Sequence, residues 1–111
     1  MTHEDLRPFL GYCKFSDTRG KFEGIVNRGC WEEVNVVHTL ENCVRGGHFH
    51  RTTTEVIFLL TGKADVILTP CDNPEQQIKL SLTAGEGLRI EPMIRHEFIY
   101  QKDSTHIQLL D

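Results

Sequence analysis

The sequence predicts an all-β domain, a sandwich or small barrel of short strands. Three observations support this prediction. Short runs rich in Val, Ile, Thr and Phe recur along the chain, turn-forming clusters separate them, and several runs alternate apolar with polar residues. No window has the spacing of an amphipathic helix, apart from a short turn around Thr2–Leu6. The length of 111 residues predicts a single domain that spans residues 1–111.

The predicted strands lie between clusters of Gly, Pro, Asn, Asp and Ser, which favour turns. In chain order the predicted strands are Lys21–Val26, Glu33–Leu40, Glu55–Thr61, Ala64–Thr69, Gln76–Thr83, Leu88–Glu91, Glu97–Tyr100 and Thr105–Leu110. The alternation is clearest in Ile78–Thr83 and in Thr105–Leu109, and it is typical of strands with one covered face.

One predicted strand is apolar on both faces. Residues Val56–Leu60 follow Glu55 without a polar interruption, and a strand of this kind must be covered on both sides. The inner face can fill a barrel, whereas the outer face needs either the N-terminal strands or a second subunit. Together with the open sheet edges, this run predicts a homodimer.

Composition and charge exclude several classes of protein. The net charge of −4, without a block of Lys or Arg, argues against nucleic-acid binding. No apolar run approaches the ~20 residues of a membrane span. The polar, acidic N-terminus does not resemble a signal peptide, so we expect a cytoplasmic protein. The four cysteines form no Cys-x-x-Cys pair, and we expect free thiols rather than a disulfide framework.

Three histidines and one glutamate form the most informative pattern in the chain. His48 and His50 are two residues apart, so in a strand both side chains point to the same face. A turn through residues 51–54 resets the alternation, and Glu55 can then begin the next strand facing inward. His96 begins a later predicted strand, with Phe98 and Tyr100 on the same face.

This set of nitrogen and oxygen donors suits a divalent transition metal. Imidazole suits Fe, Cu, Ni and Zn, and the carboxylate also suits Mn, so the sequence does not select one metal. We therefore predict that His48, His50, Glu55 and His96 bind one such ion. Four protein ligands around an octahedral ion leave two positions, which suffices to polarise a carbonyl or activate a water molecule.

The spacing of these residues resembles the two sequence motifs of the cupin superfamily. The first motif covers residues 46–62 and the second covers residues 85–100. The matching positions are His48, His50, Glu55 and Gly62 in the first motif, and Gly85, Pro92 and His96 in the second. The resemblance implies a double-stranded β-helix, which is a jelly-roll-like small barrel. The chain departs from the motifs at Asn42 and Met93, where the superfamily usually has glycine, and at Tyr100, where it usually has asparagine.

A second resemblance narrows the function. The Asp-x-Arg-Gly-x-Phe stretch at Asp17–Phe22, followed by Val44–His48, is similar to bacterial sugar-nucleotide cupins. These include the deoxysugar 3,5-epimerases, the 3,4-ketoisomerases and the cupin domain of capsular-polysaccharide reductases. The resemblance implies that Arg45 contacts a diphosphate and that His48 transfers a proton. We therefore expect an isomerase or epimerase of a nucleotide sugar that acts beside a carbonyl.

Proton transfer and metal binding compete for His48, because a lone pair bound to a metal cannot accept a proton. In a metal-bearing site the proton-transfer group would be Tyr100, on the face of His96, or His38. The predicted substrate-binding residues are Arg45, Arg51 and Phe98.

Two other functions remain open at the level of sequence. The same four ligands are compatible with a ferrous dioxygenase of a small molecule, because such a site keeps positions for oxygen. A non-catalytic binding or sensor module is the third possibility, since a cupin fold does not by itself fix a function.

Overall fold

The computed structural model describes residues 6–111, and β-strands are the only regular secondary structure in this range. The predicted turn around Thr2–Leu6 lies outside it except for Leu6. The strands are β1 (Phe9–Leu10), β2 (Cys13–Asp17), β3 (Gly20–Gly24), β4 (Glu33–Thr39), β5 (Val44–His48), β6 (Glu55–Thr61), β7 (Lys63–Pro70), β8 (Ile78–Thr83), β9 (Glu86–Ile90), β10 (Ile94–Tyr100) and β11 (Ser104–Leu110).

The strands form two main antiparallel sheets and one hairpin. The larger sheet has the order β1-β9-β6-β11-β4, the second has the order β5-β10-β7-β8, and β2 pairs only with β3. This architecture confirms the predicted all-β fold of the cupin type. Within residues 6–111 no helix has the length and hydrophobicity needed to cross a membrane.

The core lies between the two main sheets. Val66, Leu68 and Leu82 of the four-stranded sheet are fully buried, and they pack with Leu59 and Leu88 of the five-stranded sheet. These side chains alternate with outward-facing residues, as the period of two in a strand requires. The same alternation places Glu55 on the inner face of β6, together with Ile57 and Leu59, as the sequence predicted.

The outer face of β6 is covered within the single chain. Val56 and Phe58 are each only 4% exposed, and the Phe58 ring lies 6.1 Å from the ring of Phe9. Val56 shares a cavity with Phe9 and with Trp31, which belongs to the segment between β3 and β4. The two-sided apolar strand therefore does not require a second subunit, and the homodimer stays a prediction.

Exposed apolar surface is found elsewhere, on the hairpin and on the edge strand β4. Phe15 and Phe22 stack at 4.9 Å on the hairpin, and each is about half exposed. Val34 and Val36 of β4 are 63% and 60% exposed.

Three strands escaped the sequence prediction, namely β1, β2 and β5. β1 has only two residues, and β2 overlaps a cluster of turn-forming residues at positions 16–20. β5 contains Gly46 and Gly47, residues that are disfavoured in strands. Both glycines have positive φ angles, of 88° and 78°, which explains why the sequence does not read as a regular strand there.

The two cupin glycine positions that hold other residues keep the backbone conformation that favours glycine. Asn42 and Met93 have φ angles of 69° and 66°, and no other non-glycine residue among residues 6–111 has a positive φ. Asn tolerates this left-handed region, whereas for Met this backbone conformation costs about 1–2 kcal/mol. The Met93 amide is held in place because it donates a hydrogen bond to the His50 carbonyl at 2.7 Å.

We expect Met93→Gly to stabilise the protein by about 1 kcal/mol, because it removes a left-handed strain greater than the entropy cost of glycine. Chemical denaturation would measure the change. Met93→Ala is the matched control and should not stabilise, because alanine has the same penalty. Equal effects of the two variants would show that side-chain contacts, not the backbone, control stability at this position.

Candidate metal and substrate site

Four chain segments bring the predicted ligands together. His48 ends β5, His50 follows it in a loop, Glu55 begins β6 and His96 lies in β10. One donor atom from each residue can be chosen so that all four lie within 4.8 Å of one another. β5 and β10 pair so that His48 stands opposite His96, and their ring centroids are 4.7 Å apart.

The geometry differs in one respect from the sequence prediction. β5 ends at His48, so His50 is not on the same strand face by simple alternation. Its ring nevertheless reaches the cluster, and its Nε2 lies 3.0 Å from Oε1 of Glu55. The loop between β5 and β6 therefore positions His50, whereas the two-residue spacing indicated that alternation along one strand would do so.

Two consecutive glycines, Gly46 and Gly47, interrupt the regular pairing of β5 with β10 beside the site. The pairing register shifts opposite Gly46, between His96 and Glu97. A Cβ atom at Gly46 would lie 2.5 Å from the His96 carbonyl oxygen. Only glycine fits this approach, because the conformation and the space both exclude a side chain.

His96 has the features of a ligand residue. Its Nδ1–H donates a hydrogen bond to the Ile94 carbonyl at 3.0 Å, and a carbonyl can only accept, so the neutral ring carries its lone pair on Nε2. That Nε2 atom is buried and has no hydrogen-bond partner among residues 6–111. It lies 3.7 Å from the Glu55 carboxylate. Burial lowers the pKa of His96, which favours the neutral form.

Glu55 is a buried carboxylate, only 2% exposed, at the centre of this cluster. An isolated buried charge is costly, and partners are needed to offset the cost. The imidazole of His50 provides one hydrogen bond. A divalent cation would satisfy both Glu55 and the unpartnered Nε2 of His96, so these residues fit such an ion.

The cluster of predicted ligands opens into a cavity of about 240 Å³ between the two sheets. Of the predicted substrate-binding residues, Arg45 and Phe98 line the cavity, and so does Tyr100. Arg51 is exposed in the loop after β5 and is not among the residues that line it. His38 is exposed on β4 and bonds Thr105 at 2.9 Å, so it does not line the cavity either.

His106 and Gln108 also line the cavity, although the sequence pattern did not indicate either as a site residue. Both lie on β11, where the usual rule would turn the apolar residues Ile107 and Leu109 toward the core. The structure has the opposite orientation, and His106 is only 3% exposed. The inward polar residues are tolerated because the cavity beside them is itself polar, and the alternation in the sequence does not indicate this orientation.

Tyr100 and His106 form a buried pair across the two sheets. Their rings are nearly parallel at 6°, and the Tyr100 hydroxyl lies 3.3 Å from Nδ1 of His106. Burial raises the pKa of Tyr100, and burial lowers the pKa of His106 to about 4. Both side chains are therefore neutral at pH 7.

The lowered pKa of His106 predicts acid sensitivity. The unfolded chain binds a proton at this group below about pH 6.5, whereas the folded protein does so only near pH 4. The stabilisation of the folded protein by neutral His106 is therefore fully present above the pKa that this group has in the unfolded chain. It is lost as the pH falls from about 6.5 to 4. We expect a loss of about 2 kcal/mol between pH 7 and pH 5.

Chemical denaturation in the presence of a chelator, at pH 7 and at pH 5, would measure this loss. His106→Gln should remove most of the difference, whereas His38→Gln, on the exposed side of β4, should retain it. An unchanged difference in His106→Gln would assign the acid sensitivity to other groups.

The chain is similar to a known protein family and to solved structures. A family model described as the polysaccharide biosynthesis C-terminal domain matches residues 15–110. No curated protein matches the chain significantly.

Several solved structures share the fold. QdtA, a sugar 3,4-ketoisomerase from Thermoanaerobacterium thermosaccharolyticum in complex with TDP, has a TM-score of 0.80 at 17% identity, over 98% of this chain and 82% of that one. The TDP-quinovose 3,4-ketoisomerase WlaRB from Campylobacter jejuni has a TM-score of 0.78 at 22% identity, over 96% and 85%. The dTDP-4-dehydrorhamnose 3,5-epimerase from Sulfolobus tokodaii has a TM-score of 0.75 at 23% identity, over 88% of this chain and 65% of that one.

Proposed function

The chain belongs to the polysaccharide biosynthesis C-terminal domain family, and on this basis we propose that it is an isomerase or epimerase of a nucleotide sugar. The observation that carries the proposal is a cavity lined by imidazoles and an arginine, in a fold shared with TDP-sugar ketoisomerases and epimerases. The predicted substrate is a keto-deoxysugar joined to a nucleoside diphosphate.

Arg45 supports the binding of a diphosphate. Its Nε donates to the Thr39 hydroxyl at 2.6 Å, and a second nitrogen, Nη2, donates to the His38 carbonyl at 3.1 Å. These two bonds hold the guanidinium in one orientation and leave further N–H groups for a ligand. Phe98, only 3% exposed, would form an apolar wall beside the sugar.

Proton transfer beside a carbonyl requires a group that can take up the proton and a charge that stabilises the developing enolate. The chain offers His48 and Tyr100. In a metal-free site the lone pair of His48 is available, whereas in a metal-bearing site Tyr100 is the remaining group. A cation beside Glu55 would offset the negative charge that contributes to the raised pKa of Tyr100.

We also propose that His48, His50, Glu55 and His96 hold one divalent transition metal. The unpartnered Nε2 of His96 and the buried Glu55 carboxylate support this set. When bound, such an ion would supply positive charge to a substrate oxygen.

The function can be tested by binding and by isotope exchange. TDP should bind at micromolar to millimolar strength, and TDP-4-keto-6-deoxyglucose should exchange a C–H proton in deuterated water. Arg45→Gln should weaken TDP binding about tenfold, because a charge-assisted hydrogen bond contributes about 1.5–3 kcal/mol. Arg89→Gln is the matched control, because Arg89 is exposed and pairs with Glu91 outside the cavity.

Absence of both binding and exchange, across several keto-deoxysugar nucleotides, would overturn the proposal. Repeating the exchange after chelation assigns the proton transfer. Exchange that persists without metal shows that proton transfer needs no cation, as expected when the lone pair of His48 is free, whereas exchange that is lost assigns it to the metal-bearing form.

Metal content provides a separate test. Elemental analysis after dialysis should find about one divalent transition ion per chain, and His96→Ala should remove it, because His96 contributes the buried donor atom. His38→Ala is the matched control and should retain the metal. Unchanged metal content in His96→Ala would refute the ligand assignment. Iron with oxygen uptake would instead support a dioxygenase.

A further inference from the structure

His106 is the buried titratable group of the cavity that neither the proposed metal ligands nor the predicted substrate contacts include. It lies on the inner face of β11, between β4 and β6 in the five-stranded sheet. Tyr100 approaches it from β10 of the other sheet. The pair is therefore a cross-sheet contact in the same cavity as the metal ligands.

The proton position on His106 depends on its contact with Tyr100. The Tyr100 hydroxyl lies 3.3 Å from Nδ1 of His106, and this is the side-chain hydrogen bond of the phenol within residues 6–111. A neutral phenol carries one hydrogen, which it can donate to the lone pair of Nδ1.

This direction determines which nitrogen of His106 carries the proton. When Nδ1 accepts from Tyr100, a neutral imidazole must carry its hydrogen on Nε2. The lowered pKa of His106 supports the neutral form at pH 7. Nε2 has no hydrogen-bond partner among residues 6–111, although the His106 ring lines the cavity.

Gln108 lies two residues farther along the inner face of β11, and it also has N–H groups available to the cavity. Its Oε1 accepts a hydrogen bond from Asn35 at 3.0 Å, so its side-chain amide N–H groups remain available. Gln108 also lines the cavity. The inner face of β11 thus presents N–H donors to the cavity, and acceptor oxygens are what such a surface recognises.

We propose that the Nε2–H of His106, oriented by Tyr100, donates a hydrogen bond to an acceptor oxygen of the bound sugar nucleotide. This inference rests on the proposed function and adds a specificity determinant to it. Tyr100 acts here as a positioning residue, because its hydroxyl keeps His106 in the Nε2–H form. The recognised oxygen belongs either to the sugar or to the diphosphate.

The protonated nitrogen can be identified without any ligand. Nitrogen-15 NMR of the metal-free wild type at pH 7 should show His106 as the Nε2–H tautomer. Tyr100→Phe should shift His106 toward a mixture of tautomers, because Nδ1 loses its donor. An Nδ1–H tautomer in the wild type would overturn the inference.

Two substitutions then separate the cavity contact from the contact with Tyr100. The amide of Asn reaches the position of Nδ1, whereas the amide of Gln reaches the position of Nε2. His106→Asn should therefore raise the Kd for TDP-4-keto-6-deoxyglucose about tenfold, and His106→Gln should keep it within about threefold of the wild type. Thermal unfolding would verify that both variants fold.

TDP alone distinguishes the two sources of the oxygen. A weaker affinity of His106→Asn for both ligands identifies a diphosphate oxygen, and a weaker affinity for the keto sugar alone identifies a sugar oxygen. Equal affinities of wild type and His106→Asn for both ligands would overturn the inference alone. Failure of the wild type to bind either ligand would overturn the proposed function as well as this contact.

Discussion

The buried carboxylate of Glu55 is the constraint on which the arrangement of the site depends. A charge that is 2% exposed must be compensated. His50 forms a hydrogen bond with it from the loop before β6, whereas Nε2 of the neutral His96 ring lies 3.7 Å away with a lone pair and donates nothing to it. The interior of this barrel is therefore divided, with packed aliphatic residues around β7 and β8 and a polar cavity beside β6, β10 and β11.

Three of the four clustered residues could be predicted because their information is local. His48, His50 and Glu55 lie within eight residues, and the turn between them is marked by polar residues. His96 was indicated by its place in the second motif, and the structure brings it to the other three. The strands with clear alternation, such as β8 and β11, could be predicted for the same reason. β5 could not, because Gly46 and Gly47 carry no strand propensity, and their role is apparent only from the nearby backbone of His96.

The role of His106 could not be predicted because it depends on long-range pairing. Nothing near His106 in the sequence indicates which face of β11 turns inward. That choice follows from the register of β11 between β4 and β6, which places the ring beside Tyr100 of the opposite sheet. Alternation of apolar and polar residues predicts a strand. It does not predict which face of the strand turns inward when the interior cavity is polar. Proximity in sequence is also not sufficient to place a residue in the cavity. Arg51 is next to His50 in the sequence, but it does not line the cavity.

The position of the single tryptophan has a practical consequence for spectroscopy. Trp31 lies against the outer face of the five-stranded sheet, where its indole N–H donates to the Arg28 carbonyl at 2.7 Å and where it shares a cavity with Phe9 and Val56. Its fluorescence would therefore report how the N-terminal segment packs on β6, and only weakly what occupies the cavity on the opposite face. The tyrosine of that inner cavity, Tyr100, is the better optical reporter there, through the ultraviolet absorbance of its phenol.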